Sequence, residues 1–224
     1  MDNWIFKYHE AIQKKEVIVG VWVRLCFEIL TTGLLNGEWE FNEKKANKAI
    51  KFIENFCHHS EGRSDLLHLE LWQKAIVSAI FGIMDKTTGY RQFREVFIII
   101  ARKNGKTLFA AAIAAYMTYV DGEYGAKVYF LAPKLDQADL VYDAFYQIVQ
   151  SDDELDSITK KRRSDIYIKA FNTSVKKIAF NSKKSDGFNP QLVVNDEAIR
   201  GYDFRPGSEK AAVNNIHCNR RICE

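Results

Sequence analysis

The chain has 224 residues, 47% of them hydrophobic and 27% charged, a composition typical of soluble globular proteins. Its net charge of +3 is too small to indicate nucleic-acid binding by composition alone. The first residues lack a signal-peptide pattern, no apolar run reaches membrane-spanning length, and the four cysteines form no dense disulfide framework. We therefore exclude a membrane span and a secreted disulfide scaffold, and predict a cytoplasmic protein.

Residues 1–66 predict a helical region. Apolar residues at intervals of three and four indicate a helix with one buried face, formed by Trp22, Leu25, Cys26, Ile29 and Leu30. Residues 31–33 and 36–37 predict a turn. Asn42 is then a candidate N-cap for a second helix, whose apolar face consists of Ala46, Ala49, Ile50, Ile53 and Phe56.

That second helix ends at Cys57, His58 and His59, a group with two possible interpretations. The first is a metal site, but no second ligand pair lies at a recognisable spacing. The second, which we favour, is a helix end with exposed histidines. The same reasoning applies near the end of the chain to His217, Cys218 and Cys223, which do not form a complete ligand set.

Residues 67–206 predict an α/β core. A helix is expected to open at residues 69–73 and to continue past Ala79. Gln73 in its first turn has two interpretations that the sequence leaves open. Its amide both donates and accepts, which matches the edge of adenine, or it is a surface glutamine beside the core tryptophan Trp72.

The most informative stretch begins with the apolar residues 96–100, which predict a fully buried strand. A short polar turn ending in Gly105, Lys106 and Thr107 follows, and an alanine-rich segment at 108–119 then predicts a helix. Strand, Gly-Lys-Thr turn and helix form the layout of a phosphate-binding loop. In such a loop backbone N–H groups cradle the phosphates, the lysine reaches them, and the hydroxyl ligates Mg²⁺.

Downstream, residues 127–132 predict another buried strand, and a helix is expected to begin at Leu135. Residues 151–164 are polar; the basic run within them, 160–163, is most simply solvated surface, with a phosphate or nucleic-acid contact as the alternative. Residues 166–168 and 177–180 predict a hairpin or two edge strands. Strands that alternate with helices predict an α/β fold, a mostly parallel sheet flanked by helices.

A second chemical signal lies at residues 192–198, an apolar strand that ends in Asp196 and Glu197. The carboxyl ends of parallel strands are where open α/β sheets bind ligands. One carboxylate can hold Mg²⁺ through water and the other can deprotonate the attacking water. Two solvated acids at a strand end are the alternative, which the phosphate-binding loop upstream disfavours.

The order of these motifs resembles the ATPase domain of tailed-bacteriophage terminase large subunits, the motors that pump DNA into procapsids. Arg102-Lys103-Asn104-Gly105-Lys106-Thr107 is the most specific feature, because ordinary phosphate loops begin with glycine where this chain has Ile100. The other similar segments are residues 37–42 with the helix that ends at 57–59, and residues 69–73, 132–138, 185–190 and 192–197.

The resemblance implies a P-loop NTPase fold that uses ATP and Mg²⁺. The nucleotide-binding residues would be Gln73 for adenine and, for the phosphates, Arg102, Lys103, Asn104, Gly105, Lys106 and Thr107. Lys106 would also serve in catalysis, and Arg102 would sense or polarise the γ-phosphate.

By the same resemblance Thr107 and Asp196 would hold the metal, and Glu197 would be the catalytic base. The implied partners are double-stranded viral DNA, the terminase small subunit and the portal protein. A complete member would form a homo-oligomeric ring in the bacterial host cytoplasm, transiently at the procapsid portal.

Two departures qualify these expectations. Asn195 stands where the family usually has an apolar residue, and an unpaired buried amide costs about 1–3 kcal/mol. The chain also ends soon after Glu197, so we expect an incomplete core at 67–206, a divergent tail at 207–224 and no nuclease domain. Whether such a chain turns over ATP is left open. The alternatives are an inactive nucleotide- or DNA-binding remnant and a helicase-like ATPase of other purpose.

Overall fold

The structure is a computed structural model that describes residues 3–59, 62–101, 103–132, 134–179 and 190–195. Contacts divide the chain into two compact units. The helical unit is formed by described residues of Met1–Asn55 and Leu67–Arg94, and the sheet unit by those of Phe56–Leu66 and Glu95–Ile222. No described helix is long and apolar enough to cross a bilayer. The domain boundaries predicted after residues 66 and 206 stay predictions.

The helical unit consists of four helices and a short antiparallel hairpin. Its elements are α1 (Trp4–Gln13), α2 (Val21–Leu35), β1 (Glu40–Phe41), α3 (Glu43–Phe56), α4 (Leu71–Gly82) and β2 (Ile83–Met84). Helix α1 packs on both α2 and α4. The Tyr8 and Phe27 rings meet edge to face, 4.7 Å between centroids, within a core that also contains Ile5 and Ile83. The helical character predicted for the first sixty residues is confirmed.

The turn predicted at residues 31–33 is wrong, because these residues lie inside α2. The Thr31 hydroxyl donates to the Phe27 carbonyl oxygen at 2.8 Å, which satisfies it within the helix. A Cβ atom at Gly33 would lie 2.6 Å from the Trp39 ring, so glycine is present for close packing and not for a turn. The other part of the predicted turn, residues 36–37, is confirmed, and Gly37 has a left-handed φ of 70°.

The apolar face predicted for α2 is mostly exposed. Trp22 and Ile29 are 78% and 54% exposed, and Leu25 and Cys26 are exposed as well. The residues that fix α2 in the core are Phe27, Leu30, Thr31 and Gly33. Helix α2 has apolar residues on two sides, so its periodicity predicted a helix but could not indicate which side is buried.

Helix α3 follows the sequence prediction closely. The Asn42 side chain accepts a hydrogen bond from the Lys45 backbone N–H at 3.0 Å, which confirms it as the N-cap. The predicted apolar residues Ala46, Ala49, Ile50 and Ile53 are buried, and Phe56 is half-buried. Cys57, just after the helix, is fully buried, while His58 and His59 are half-buried.

The sheet unit contains a five-stranded mixed sheet with helices packed on it. The strands are β3 (Lys127–Ala132), β4 (Thr159–Lys161), β5 (Ile166–Ile168), β6 (Thr173–Ala179) and β7 (Leu192–Asn195), in the order β4-β5-β6-β3-β7. Strand β3 pairs in parallel with both β6 and β7. The helices are α5 (Lys106–Tyr119), α6 (Leu135–Gln150) and α7 (Asp153–Ser157). The predicted α/β class, with helices flanking the sheet, is confirmed.

Two details of this sheet differ from the prediction. Strands β5 and β6 do form an antiparallel pair, but β6 begins at Thr173 and lies between β5 and β3 instead of at an edge. The polar residues 151–164 contain α7 and the edge strand β4, two elements that the sequence did not predict. Lysines on β4 are consistent with an edge position, because lysines commonly protect a sheet edge.

The largest correction concerns the predicted central strand. Residues 96–101 belong to no assigned helix or strand, although the sequence predicts a fully buried strand there. Exposure alternates along them, with Phe97 at 58% and Ile99 at 71%, which is the pattern of extended backbone with one face covered. Strand propensity at these residues therefore did not lead to pairing with another strand in the part of the chain that the structure describes.

Candidate functional site

The loop that follows residues 96–101 has the backbone geometry of a tight turn into a helix. Lys103 and Gly105 both have left-handed φ angles, 65° and 67°. No atom lies within 4 Å of a Cβ built on Gly105, so its backbone angle, not crowding, requires glycine. The Asn104 side chain donates to the Ala101 carbonyl oxygen at 3.2 Å and closes the turn. Lys103 adopts a conformation unfavourable for a side-chain-bearing residue, as residues at ligand-binding loops often do.

Helix α5 begins directly after this turn, with Gly105 as its N-cap. The Gly105 carbonyl accepts the Phe109 N–H at 2.9 Å, which starts the helical hydrogen bonds. No side chain caps this end and the first turn contains no acidic residue. Lys103, Asn104 and Gly105 are exposed, while Lys106 and Thr107 are half-buried. An exposed helix N-terminus whose positive dipole end lacks a neighbouring acid in its first turn favours an anion.

The remainder of α5 is held firmly in the sheet unit. Its alanine-rich middle is buried, and the helix packs on α6 and on β7. At its far end the Tyr119 hydroxyl lies 2.7 Å from the Thr159 hydroxyl, and burial raises the pKa of the Tyr119 phenol above its ordinary value. The loop is thus carried by a rigid helix, which is a requirement for precise positioning of a ligand.

Gln191, just before β7, connects that strand to the C-terminal end of α5. Its side-chain amide donates to the carbonyl oxygens of Met117 at 3.4 Å and Asp121 at 3.2 Å, and its backbone N–H donates to Lys127 at 2.9 Å. Strand β7 therefore starts beside the end of α5 and runs parallel to β3. Its carboxyl end, Asn195, is directed toward the end of α5 at which the loop lies.

Asn195 is half-buried and pairs with Leu131 in the parallel register. Its side-chain oxygen is nevertheless buried, so the desolvation cost expected at this position applies to that atom. The carboxyl edge of this part of the sheet is formed by Asn195 and Ala132, the last residues of β7 and β3. In open α/β sheets such an edge is the usual ligand-binding side.

Gln73 lies in the helical unit, in the first turn of α4. Its side-chain oxygen accepts a hydrogen bond from the backbone N–H of Glu70 at 2.8 Å, the residue that caps the helix. The side chain is buried, with 8% exposed. Of the two open interpretations, the surface glutamine is therefore wrong: Gln73 closes the N-terminus of α4, and its amide nitrogen offers donor hydrogens besides.

The predicted site residues fall into three groups: those in the loop, one in the other unit and those outside the described residues. Residues 103–107 come together in one turn, and Gln73 belongs to the other unit. Arg102, Asp196 and Glu197 lie outside the described residues. Gln191, which positions β7 on α5, was missed because a single glutamine before a strand has no recognisable signal. Among the described residues no three His, Cys, Asp or Glu side chains are grouped as a metal site would require.

Comparisons with known proteins agree with this architecture. The family profile "Terminase large subunit, ATPase domain" matches residues 71–205, more than half of the chain. The crystal structure of the HK97 bacteriophage large terminase is similar, with 25% sequence identity and a TM-score of 0.57. That match covers 67% of this chain and 30% of the HK97 chain, so this chain spans about a third of that protein. A comparison with curated proteins finds no match.

Proposed function

We propose that this chain, which belongs to the terminase large subunit ATPase domain family, hydrolyses ATP to power the movement of double-stranded viral DNA into procapsids. The observation that carries the proposal is the Gly105 turn at the exposed N-terminus of α5, whose own first turn contains no acidic residue. This turn lies within the region that the family profile matches. We further propose the small subunit and the portal protein as partners, a homo-oligomeric ring as the working assembly, and the bacterial host cytoplasm as its location.

The loop would bind the phosphates of ATP. The left-handed angles at Lys103 and Gly105 curve the backbone so that successive N–H groups can converge on an anion, and α5 adds its dipole. The Lys106 ammonium would neutralise charge on the transferred phosphoryl group, and Arg102 would act on the γ-phosphate. Because phosphoryl transfer needs little covalent help, such positioning and charge stabilisation supply most of the catalysis.

The residues available for Mg²⁺ fit its preference for oxygen ligands, with the Thr107 hydroxyl at the helix start and the Asp196 carboxylate after β7. When bound, the ion would neutralise charge on the phosphates. Glu197 would orient the attacking water and accept its proton, a task for a carboxylate next to the metal-binding acid. That β7 is directed toward the loop end of α5 supports this assignment.

Gln73 would recognise adenine with its amide hydrogens and the second lone pair of its amide oxygen, which the hydrogen bond to Glu70 does not use. Its oxygen already accepts from Glu70, and a carbonyl oxygen has a second lone pair. The amide hydrogens would then be donated to a ring nitrogen of adenine. The hydrogen bond to Glu70 fixes the rotamer, so this contact would be made by a preorganised group.

Equilibrium binding of a fluorescent ATP analogue and phosphate release together test the proposal. We expect Lys106→Ala to weaken ATP binding by roughly 10-fold or more, since it removes a charge-assisted phosphate contact. We expect Glu197→Gln to retain binding and to lower turnover by about 100-fold or more, since it removes the base. Lys127→Ala, an exposed lysine at the start of β3, is the matched control and should change neither.

Wild-type protein that is folded by circular dichroism but does not bind ATP would overturn the proposal. Wild-type protein that binds ATP, loses binding in Lys106→Ala and shows no turnover would identify a non-catalytic nucleotide-binding domain instead.

A further inference from the structure

The helical unit carries an open cleft of about 910 Å³ along the solvent-facing side of α3. Phe41 and Met84, from the β1–β2 hairpin, contribute apolar surface to it. Its charged lining consists mainly of four lysines, Lys44, Lys45, Lys48 and Lys51. Nothing in the candidate ATP site uses this cleft, whose lining residues all lie in the helical unit.

Three of these lysines form a row on one helix face. Lys44, Lys48 and Lys51 are exposed, and their spacing of four and three residues places them on the same side of α3. At 1.5 Å per residue the row extends over about 10 Å. We call Lys44, Lys48 and Lys51 the lysine row.

The lysine row is not balanced by acids in the part of the chain that the structure describes. No described carboxylate forms an ion pair with any of its three members. Glu54, one turn beyond Lys51, is engaged elsewhere: it pairs with Lys74 at 3.0 Å and accepts the Leu69 N–H at 3.1 Å. Like charges at these spacings destabilise a helix by about 0.2–0.5 kcal/mol per pair. The three lysines therefore do not contribute to the folding of α3 through their charges.

The arrangement fits an extended polyanion better than a compact one. The lysines lie in a row along an exposed face, whereas a site for one small anion has donors that converge. Two acids, Glu40 and Glu43, also line the cleft, so its four lysines leave it with a formal net charge of +2 (4 − 2). Each strand of duplex DNA carries one phosphate per about 3.4 Å of helix axis, so a row of about 10 Å corresponds to an axial length that contains about three phosphates per strand.

The basic run at residues 160–163 has a structural explanation. The Lys161 ammonium lies 4.0 Å from the Tyr146 ring centroid and the Arg162 guanidinium 3.6 Å from that of Tyr167. The cluster begins on the edge strand β4, where positive charge opposes strand–strand association. Its cations are thus partly used by the fold, in contrast with the lysine row.

We propose that the lysine row of α3 docks the sugar–phosphate backbone of double-stranded DNA. The choice of DNA as the polyanion rests on the proposed motor function. The inference that this surface binds a polyanion rests on the charge and the spacing of its lysines. Flexible ammonium groups act as point charges on phosphates and do not distinguish bases. The contact is therefore independent of sequence, as a surface that holds a moving duplex requires.

The test is fluorescence anisotropy of a labelled duplex of about 30 base pairs, without nucleotide, at about 50 and 200 mM salt. The variant Lys44→Gln/Lys48→Gln/Lys51→Gln keeps helix-favouring side chains and removes three charges. We expect it to bind at least about 10-fold more weakly and to show a salt dependence smaller by about two to three units of slope. The matched control, Lys160→Gln/Lys161→Gln/Arg163→Gln, removes the same charge and should change affinity less than about 3-fold.

Unchanged duplex affinity in the α3 variant would overturn the proposal, as would equal losses in both variants or a wild-type protein that does not bind duplex. ATP binding, measured on the same samples, separates this proposal from the motor function. The α3 variant should bind ATP like wild type, whereas failure of the ATP site would be seen in wild-type protein. Loss of both activities in the α3 variant would indicate a general defect and overturn the assignment.

Discussion

Two apolar stretches of the sheet unit, residues 96–101 and β3, have similar sequences and different structures. Both contain β-branched and aromatic side chains, and residues 96–100 and 127–132 are both predicted as buried strands. Strand β3 lies between β6 and β7 and is buried along most of its length. Residues 96–101 are alternately half-buried and exposed and lie outside any assigned strand.

The difference shows that strand formation depends on neighbours more than on propensity. Every residue of β3 pairs with β6 in register, and four pair with β7 as well. Phe130 of β3 also packs on rings of α6, with centroids 6.3 Å from Tyr142 and 5.7 Å from Phe145. Residues 96–101 lead into the Gly105 turn without comparable pairing in the described chain. The two stretches should therefore differ in amide hydrogen exchange and in how much a substitution lowers the free energy of unfolding.

Hydrogen exchange should show the largest contrast. The amides of β3 are hydrogen-bonded on both sides of an interior strand, so we expect them to open only with global unfolding, with protection of roughly 10⁴-fold or more. Amides of residues 96–101 should exchange faster by orders of magnitude. Mass-spectrometric or NMR exchange measures both in one sample. Equal protection in the two stretches would show that residues 96–101 are paired in solution.

Truncation of one phenylalanine in each stretch should give the next largest effect. Phe130→Ala removes a buried ring and should lower the free energy of unfolding by about 3–5 kcal/mol. Phe97→Ala, the matched control in the exposed stretch, should change it by less than about 0.5 kcal/mol. Denaturant unfolding of both variants makes the comparison. A similar loss for Phe97→Ala would contradict the exposed position of that ring.

Alkaline pH should destabilise the sheet unit, which contains Cys57 and Tyr142, by a smaller amount. Burial raises the pKa of the Cys57 thiol from 9.0 to about 12 and that of Tyr142 from 10.0 to about 12. The unfolded chain therefore loses these protons at lower pH than the folded protein does. The free energy of unfolding is consequently highest below about pH 9 and falls as the pH rises toward 12. From Cys57 alone we expect a loss of about 1–2 kcal/mol between pH 8 and 10.

Denaturant unfolding at the two pH values measures this loss. Cys57→Ala should flatten the pH dependence between pH 8 and 10, because it removes the group that titrates in the unfolded state. A wild-type stability that rises over this interval would contradict the assigned direction of the pKa shift.

Much of the fold could be predicted from the sequence where one interpretation satisfied both periodicity and local chemistry. Strand β3 begins and ends where predicted, and Asn42 caps α3 as its amide chemistry suggested. Prediction failed where the outcome depended on distant partners. The apolar residues of α2 did not reveal which side packs, and those at 96–100 did not reveal whether a neighbouring strand would accept them.

In the candidate site, too, features set by local chemistry could be predicted and those that depend on distant partners could not. The Gly105 turn and the start of α5 were predictable because glycine's backbone freedom and the helix dipole are local properties. The contribution of Gln191 was not predictable, since its partners Met117 and Asp121 are about seventy residues away in the chain. The capping role of Gln73 was accessible in principle, because Glu70 and Gln73 have the spacing of a capping box.

The exposed apolar side of α2 has a consequence for handling the protein. Trp22, Leu25 and Ile29 are exposed and recur at intervals of three and four residues, which places them on one side of α2. Dyes such as anilinonaphthalene sulfonate bind surfaces of this kind, and their fluorescence is a standard sign of a molten globule. In this protein the dye would fluoresce with the native state, so near-ultraviolet circular dichroism is the better criterion of correct folding.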